Sequence, residues 1–296
     1  MNHPDQFPPP SPIVSAYERL RAIHPNWYVE WGRRDYNGWI PGEAFTDAFG
    51  GPFHELLERI GARMQTADRR IIAGSFVLRF GWSAGVAVAP FLLQRCVPDV
   101  RLENVSLKFN RNTLFEKVSL HAARGAINEQ PHVDEHSSAS NNTYDGGSLD
   151  LTSRERSIES PDPNNPLLAA LRATLVEQAQ PVVNALYAWS HFSKRAMWGQ
   201  IASSWGAQFS TILGQLDRHL EALDHARLFF DSPGFLVGAR PKFYVVEHLQ
   251  VTRIYQRRAT CCLYFKLPKG HYCAGCPLIS QDERVRRNKE WIEKNG

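Results

Sequence analysis

The chain of 296 residues is 43% hydrophobic and 22% charged, enough apolar content for one large core or two modest ones, which excludes disorder throughout. Thirty-four Lys and Arg against thirty Asp and Glu leave a formal charge of +4, too small a bias over this length to indicate a nucleic-acid partner. Five cysteines are too few for a secreted disulfide scaffold, and four of them crowd into residues 261–276.

Residues 1–12 hold Pro4, Pro8, Pro9, Pro10 and Pro12 with neither the basic start nor the apolar core of a signal peptide, so they read as a flexible Pro-rich tail on a cytoplasmic protein. Residues 12–24 set Ile13, Val14, Ala16, Tyr17, Leu20 and Ile23 at helical spacing, and His24-Pro25 ends the run. Residues 53–64 repeat that spacing. Between them, residues 26–51 are rich in Trp, Gly and Pro and read as an irregular, aromatic-packed connection. Residues 71–93 are strongly apolar, but Arg79 lies among them and the uncharged run 80–94 falls short of the ~20 residues a crossing helix needs. The expectation is a buried helix, or a helical pair bent near Gly81 and Gly85, with no integral membrane span and at most a loose membrane association.

Residues 100–109 and 114–121 alternate apolar with polar side chains around the turn-prone Asn110-Arg111-Asn112, which predicts an antiparallel hairpin. From 124 to 165 the composition turns to Asn, Ser, Asp, Glu, Gly and Pro, a polar linker or excursion with little apolar surface to offset the entropy of ordering it. Pro166 then suits the first turn of a helix through Leu167, Leu168, Leu171 and Leu175, which Pro181 is expected to kink or restart. Helical patterning resumes over 193–230 and breaks at Asp231-Ser232-Pro233-Gly234. Residues 243–246 and 251–255 read as strands, and Ser280 with Glu283 forms a capping-box pattern opening a last helix through Trp291 and Ile292. There is no internal repeat, dinucleotide-binding glycine motif or P-loop. The fold class predicted is α+β, a mainly antiparallel sheet covered by helices in two lobes, 13–123 and 166–296, with a cleft between them.

The chemistry concentrates in Cys261-Cys262, ten intervening residues, then Cys273-Ala274-Gly275-Cys276-Pro277. The other 280 positions hold one cysteine, so chance is a poor account, and a cytoplasmic setting disfavours a disulfide. Thiolates suit Zn²⁺ or an iron–sulfur cluster. Zinc sites use cysteine pairs separated by at least two residues, a pattern that adjacent Cys261 and Cys262 break. Side chains at adjacent strand positions face opposite ways, so the pair belongs at a strand end or bulge. A two-iron cluster, wider than one ion, takes thiolates on two irons and suits the spacing better.

Cys-Cys-x10-Cys-x2-Cys-Pro, preceded by Arg257-Arg258 and filled by Leu263-Tyr264-Phe265-Lys266-Leu267-Pro268, resembles the C-terminal signature of FhuF-type ferric-siderophore reductases. Residues 193–200, ending in Trp198-Gly199-Gln200, are similar to a family helix that ends Trp-Gly-Asn, with Gln200 departing from the Asn. The strong resemblance covers 257–278 and a weaker one reaches back to Pro166, while residues before Gly125 match only in general character. The resemblance implies a cytoplasmic one-electron reductase in which Cys261, Cys262, Cys273 and Cys276 hold a [2Fe–2S] cluster and siderophore-bound Fe³⁺ leaves as Fe²⁺. A hydroxamate is the first siderophore class implied, and a ferredoxin or an NAD(P)H-dependent reductase is the electron donor implied.

Arg253, Arg257, Arg258, Lys266, Lys269 and His271 are cations that either form a solvated basic face or dock a donor or siderophore, and Trp198 is a candidate wall of the substrate site. Gly270 and Gly275 are read as making room for close backbone approach to the cluster. Other residues read as structural: Cys96 as an ordinary thiol, the remaining tryptophans as packing, and His132, Asp134, Glu135 and His136 as solvated side chains in the polar stretch. Ser190 with His191 carries no nucleophile motif. Two rival classes stay open, a zinc-ribbon protein that binds nucleic acid or protein, and a siderophore-binding or assembly protein without turnover.

Overall fold

The computed structural model describes residues 11–24, 27–127, 162, 164–233, 235–236 and 238–295. Most of the polar stretch, with His132, Asp134, Glu135 and His136, and most of the Pro-rich tail lie outside them. Helix α1 (Pro12–Ile23) starts on a proline and buries Ile13, Ala16, Tyr17 and Leu20, and α2 (Gly51–Met64) buries Phe53, Leu56, Leu57 and Ile60. The connection between these helices is less irregular than its composition predicts. It supplies two short strands, β1 (Glu30–Trp31) and β2 (Trp39–Pro41), which gain order by pairing with chain distant in sequence.

The apolar stretch forms the bent helical pair. Helix α3 (Arg69–Gly81) ends in a 3-10 turn at Trp82–Ala84, and α4 (Gly85–Gln94) follows. Gly81 and Gly85 sit at the bend because Ser204 and Gln208 of a facing helix leave no room for a Cβ there. Arg69–Gln94 is long and apolar enough to cross a membrane by length and composition, and 72% of its most apolar window is buried inside the protein. Strand β3 (Cys96–Pro98) leads to the hairpin of β4 (Val105–Phe109) and β5 (Phe115–Leu120), shorter at its start than the alternation predicts because residues 102–104 form a 3-10 turn. At the tip, Asn110 Oδ1 accepts from the Asn112 and Leu114 amides. The sheet order is β1-β5-β4-β2, antiparallel except for the parallel β1–β5 pair, and β3 pairs separately with β6 (Gly125–Ile127).

Helix α5 (Pro166–Ser190) runs unbroken through Pro181, contrary to the expected restart. Buried Gln178, Ala179, Val182 and Val183 flank the proline and hold both halves against the core, which outweighs the lost backbone bond. Helices α6 (Lys194–Gly214) and α7 (His219–Phe230) follow, then a hairpin of β7 (Lys242–His248) and β8 (Val251–Arg257), and α8 (Gln281–Asn295), whose Glu283 amide is capped by Ser280 Oγ at 3.1 Å.

The fold is mixed helix and small, mainly antiparallel sheets, as expected, but the packing does not divide into two lobes. One hydrophobic core runs from Ile13 to Ile254, including α1 to α4, the four-stranded sheet and α5 to α7. The reason is the α3–α4 pair, apolar on nearly every face, which needs cover from the N-terminal elements on one side and from α5 and α6 on the other. Two cavities, of about 320 Å³ beside Asp99, Arg124 and Thr174 and about 540 Å³ beside Tyr28, Trp31 and Phe115, include no residue of the cysteine loop.

Asp99 ties β3 to this frame. Burial pushes its carboxyl up, but the Arg101 side chain and amide and the Arg124 guanidinium outweigh that and hold it below the ordinary aspartate range. Its stabilisation is therefore complete above the unfolded aspartate range, near ~3.9, and is lost as pH falls through the lower folded value. Asp99→Asn should cost about 1–3 kcal/mol at neutral pH in denaturant unfolding. The gap from the unsubstituted protein should close in acid.

Candidate iron–sulfur site

Strand β8 ends at Arg257, and the adjacent cysteines follow it in a loop, the strand-end position that their opposite-facing side chains require. Leu263 takes φ +61°, turning the chain directly after Cys262. Its amide then points back at Cys261 Sγ, 3.4 Å away. The second cysteine pair is joined by a tight turn in which the Cys276 amide donates to the Cys273 carbonyl at 3.0 Å. The two halves of the loop are stitched together by the Arg258 amide donating to the Gly275 carbonyl at 2.8 Å.

All four thiols are free, with Cys276 buried and the other three half-buried. Burial pushes the Cys261 thiol up to about 11, against the pull of the Leu263 amide, and the neighbouring Cys276 and Cys262 thiols push it the same way. Cys273 is likewise raised by burial, against Arg258, with Cys262 and Cys276 beside it. Among the described residues no group of three or more His, Cys, Asp or Glu is arranged to hold a metal ion. The fit to a thiolate-held cluster is therefore one of donor chemistry: four soft donors on one loop, a backbone amide on one sulfur and the Arg258 guanidinium 3.9 Å from Cys262 Sγ.

Helix α6 holds the entry to this loop. Ser203 accepts from the Ala259 amide through Oγ at 3.4 Å and from the Gln256 side chain through its carbonyl. Thr260 Oγ1 donates to the Ala196 carbonyl at 2.7 Å, and Gln200 Nε2 donates to the Cys261 carbonyl at 3.3 Å. Gly199 allows this approach, since a Cβ there would stand 2.6 Å from the Thr260 side chain. Gln200, the position that departs from the family helix, is fully buried, and its amide is spent on the cysteine pair. Neither Thr260 nor Ser203 carried a sequence signal. Their role depends on which helix crosses the loop.

The cations separate in space. Arg258 reaches the sulfurs, whereas Arg253 is turned toward α7, where it donates to His219 Nε2. Arg257 is half-buried, with its Nε unpartnered, and Lys266, Lys269 and His271 are exposed on the loop. Trp198 is partly buried and meets Trp205 edge to face, so it packs on the core. Gly270 and Gly275 are indeed crowded, but by the loop's own backbone: a Cβ would lie 2.0 Å from the Tyr264 carbonyl oxygen and 2.9 Å from that of Gln256. Cys96 is buried in β3, far along the fold, and burial raises its thiol to about 11. Ser190 Oγ donates to the Leu186 carbonyl at the end of α5, a helix-end bond with no base in attendance.

A half-buried loop of four free thiols, with an amide on one sulfur and a guanidinium near another, carries the donor types of an iron–sulfur site. Residues 258–278 match the family model described as the FhuF 2Fe-2S C-terminal domain, which identifies the cofactor of this segment as a [2Fe–2S] cluster. No curated protein matches the chain.

Gly199→Ala should push Thr260 off α6 and loosen the cysteine pair. The expected result is a native far-UV circular dichroism spectrum with substoichiometric iron and faster cluster loss to a chelator.

Proposed function

We propose that the protein reduces siderophore-bound Fe³⁺ to Fe²⁺ in the cytoplasm, with Cys261, Cys262, Cys273 and Cys276 as the cluster ligands. The observation that carries this reading is the coincidence of the FhuF 2Fe-2S match with a loop that carries four free thiols, one buried and three half-buried. When bound, the cluster supplies a one-electron centre, and all-thiolate centres of this kind reach potentials of about −400 mV, low enough for stable ferric complexes.

Siderophores hold Fe³⁺ through hard anionic oxygens. One electron added to the metal gives Fe²⁺ and leaves the ligand's own bonds intact, while the lower charge weakens the iron–oxygen bonds and frees the ion. The chain's residues do the rest. Arg258 offers positive charge at the sulfurs, and the Leu263 amide donates to one of them, both of which favour the reduced state. Half-buried Cys261, Cys262 and Cys273 leave the loop accessible to a second molecule. The electron comes from an acidic donor such as a ferredoxin or the flavin domain of an NAD(P)H-dependent reductase, met by exposed Lys266, Lys269 and His271.

Freshly isolated protein handled without oxygen should be red-brown and contain iron and labile sulfide. Reduced protein mixed anaerobically with a ferric hydroxamate and a ferrous chelator should form the ferrous complex. A colourless zinc protein, or an iron–sulfur protein that binds the hydroxamate and yields no Fe²⁺, would sink this reading. Each single Cys→Ser change among the four should abolish or shift the visible spectrum. The double charge reversal Lys266→Glu with Lys269→Glu should slow reduction by an acidic donor about tenfold at low ionic strength and flatten its salt dependence.

A further inference from the structure

Arg284, in the first turn of α8, is only 4% exposed. Its Nη1 donates to the carbonyls of Cys276 at 2.8 Å and Ile279 at 2.6 Å, while Nε and Nη2 share Gln281 Oε1 at 3.3 and 3.0 Å. Every one of these acceptors is neutral. The adjacent carboxylate of Glu283 is taken by Arg286 and Arg287. From β7, the facing group is Tyr244, itself bonded to Asn288, and Glu293, further along α8, is paired with His248 of β7. Among the described residues no carboxylate makes an ion pair with Arg284.

A guanidinium this far out of water is costly unless a negative charge lies near it. The carbonyl it grips belongs to Cys276, which is 2% exposed, so the cation and that cysteine share one dry region. A [2Fe–2S] centre on four thiolates has a formal charge of about −2, falling to about −3 on reduction. We propose that Arg284 is the buried counter-charge of the cluster, a positioning residue that holds the Cys276 turn and raises the reduction potential by favouring the more negative state. The proposal rests on Cys276 being a ligand, as proposed above, and is independent of the siderophore. It also gives α8 a role that its surface-like sequence conceals, since Arg286 and Arg287 on the same helix are tied up by Glu283.

The test is an anaerobic potentiometric titration of the intact, cluster-loaded protein, followed by electron paramagnetic resonance. Arg284→Met should shift the reduction equilibrium toward the oxidised form by tenfold or more, about 59 mV for one electron, whereas Arg284→Lys should recover most of that shift. Gln281→Glu places a carboxylate on the guanidinium without removing any bond to Cys276, and it should shift the equilibrium in the same direction. An unchanged potential in Gln281→Glu, or an Arg284→Lys potential as low as that of Arg284→Met, overturns the proposal. If Arg284→Met does not fold, Gln281→Glu against the unsubstituted protein decides alone. Absence of a cluster from the unsubstituted protein would instead count against the cysteine assignment itself.

Discussion

The cysteine loop has almost no apolar core of its own, and what holds it is the backbone contact between its entry, residues 256–261, and one face of α6. Gly199 lets Thr260 sit directly against the helix, and about two turns later Gly206 makes room for Phe243 and Gln256, which a Cβ there would meet. Between these glycines, Gln200 and Ser203 bond to the backbone that carries Cys261. A helix that is itself locked in the main core thus becomes a rigid edge for a loop that has to keep four sulfurs in position.

That arrangement explains why so apolar a helical pair as α3–α4 belongs to this protein. Its glycines at 74, 81 and 85 let α3 and α4 lie close along α6, meeting Gln200, Ser204 and Gln208 in turn. At the Gly74 level a Cβ would also stand 3.4 Å from the Cys262 carbonyl, so the loop touches both helices. Burial of the pair is therefore what fixes the position of α6. The hydrophobic effect sets the frame, and a few directional bonds transmit its rigidity to the sulfurs.

Electrostatics at the site follows from the same economy of groups. Arg258 meets Cys262 from just past the end of β8, and Arg284 meets the Cys276 carbonyl from α8, so the loop is met by cations from two elements. Arg253 and Arg257 share the other face of β8 from the one Arg258 continues, because successive positions of a strand face opposite ways, and Arg253 bonds to His219 instead.

The local text of the chain was sufficient for elements whose signal is periodic or stereochemical: the α1 and α2 faces, the bend at Gly81 and Gly85, the β4–β5 hairpin, strands at β7 and β8, the Ser280 cap and the placement of Cys261-Cys262 past a strand end or in a bulge. It narrowed the cofactor to zinc or an iron–sulfur cluster, because four thiols at that spacing have few chemical uses, and the family resemblance chose between them. It could not show that Pro181 would be carried inside a continuous helix, that β1 and β2 would order a Trp-rich connection, or that the two halves would share one core. Each of those depends on burial against residues more than sixty positions away. Nor could it separate Arg284 from Arg286, or Gln200 from any other polar residue on a helix, since a side chain's charge is written in the sequence but the dielectric around it is made only by what packs there.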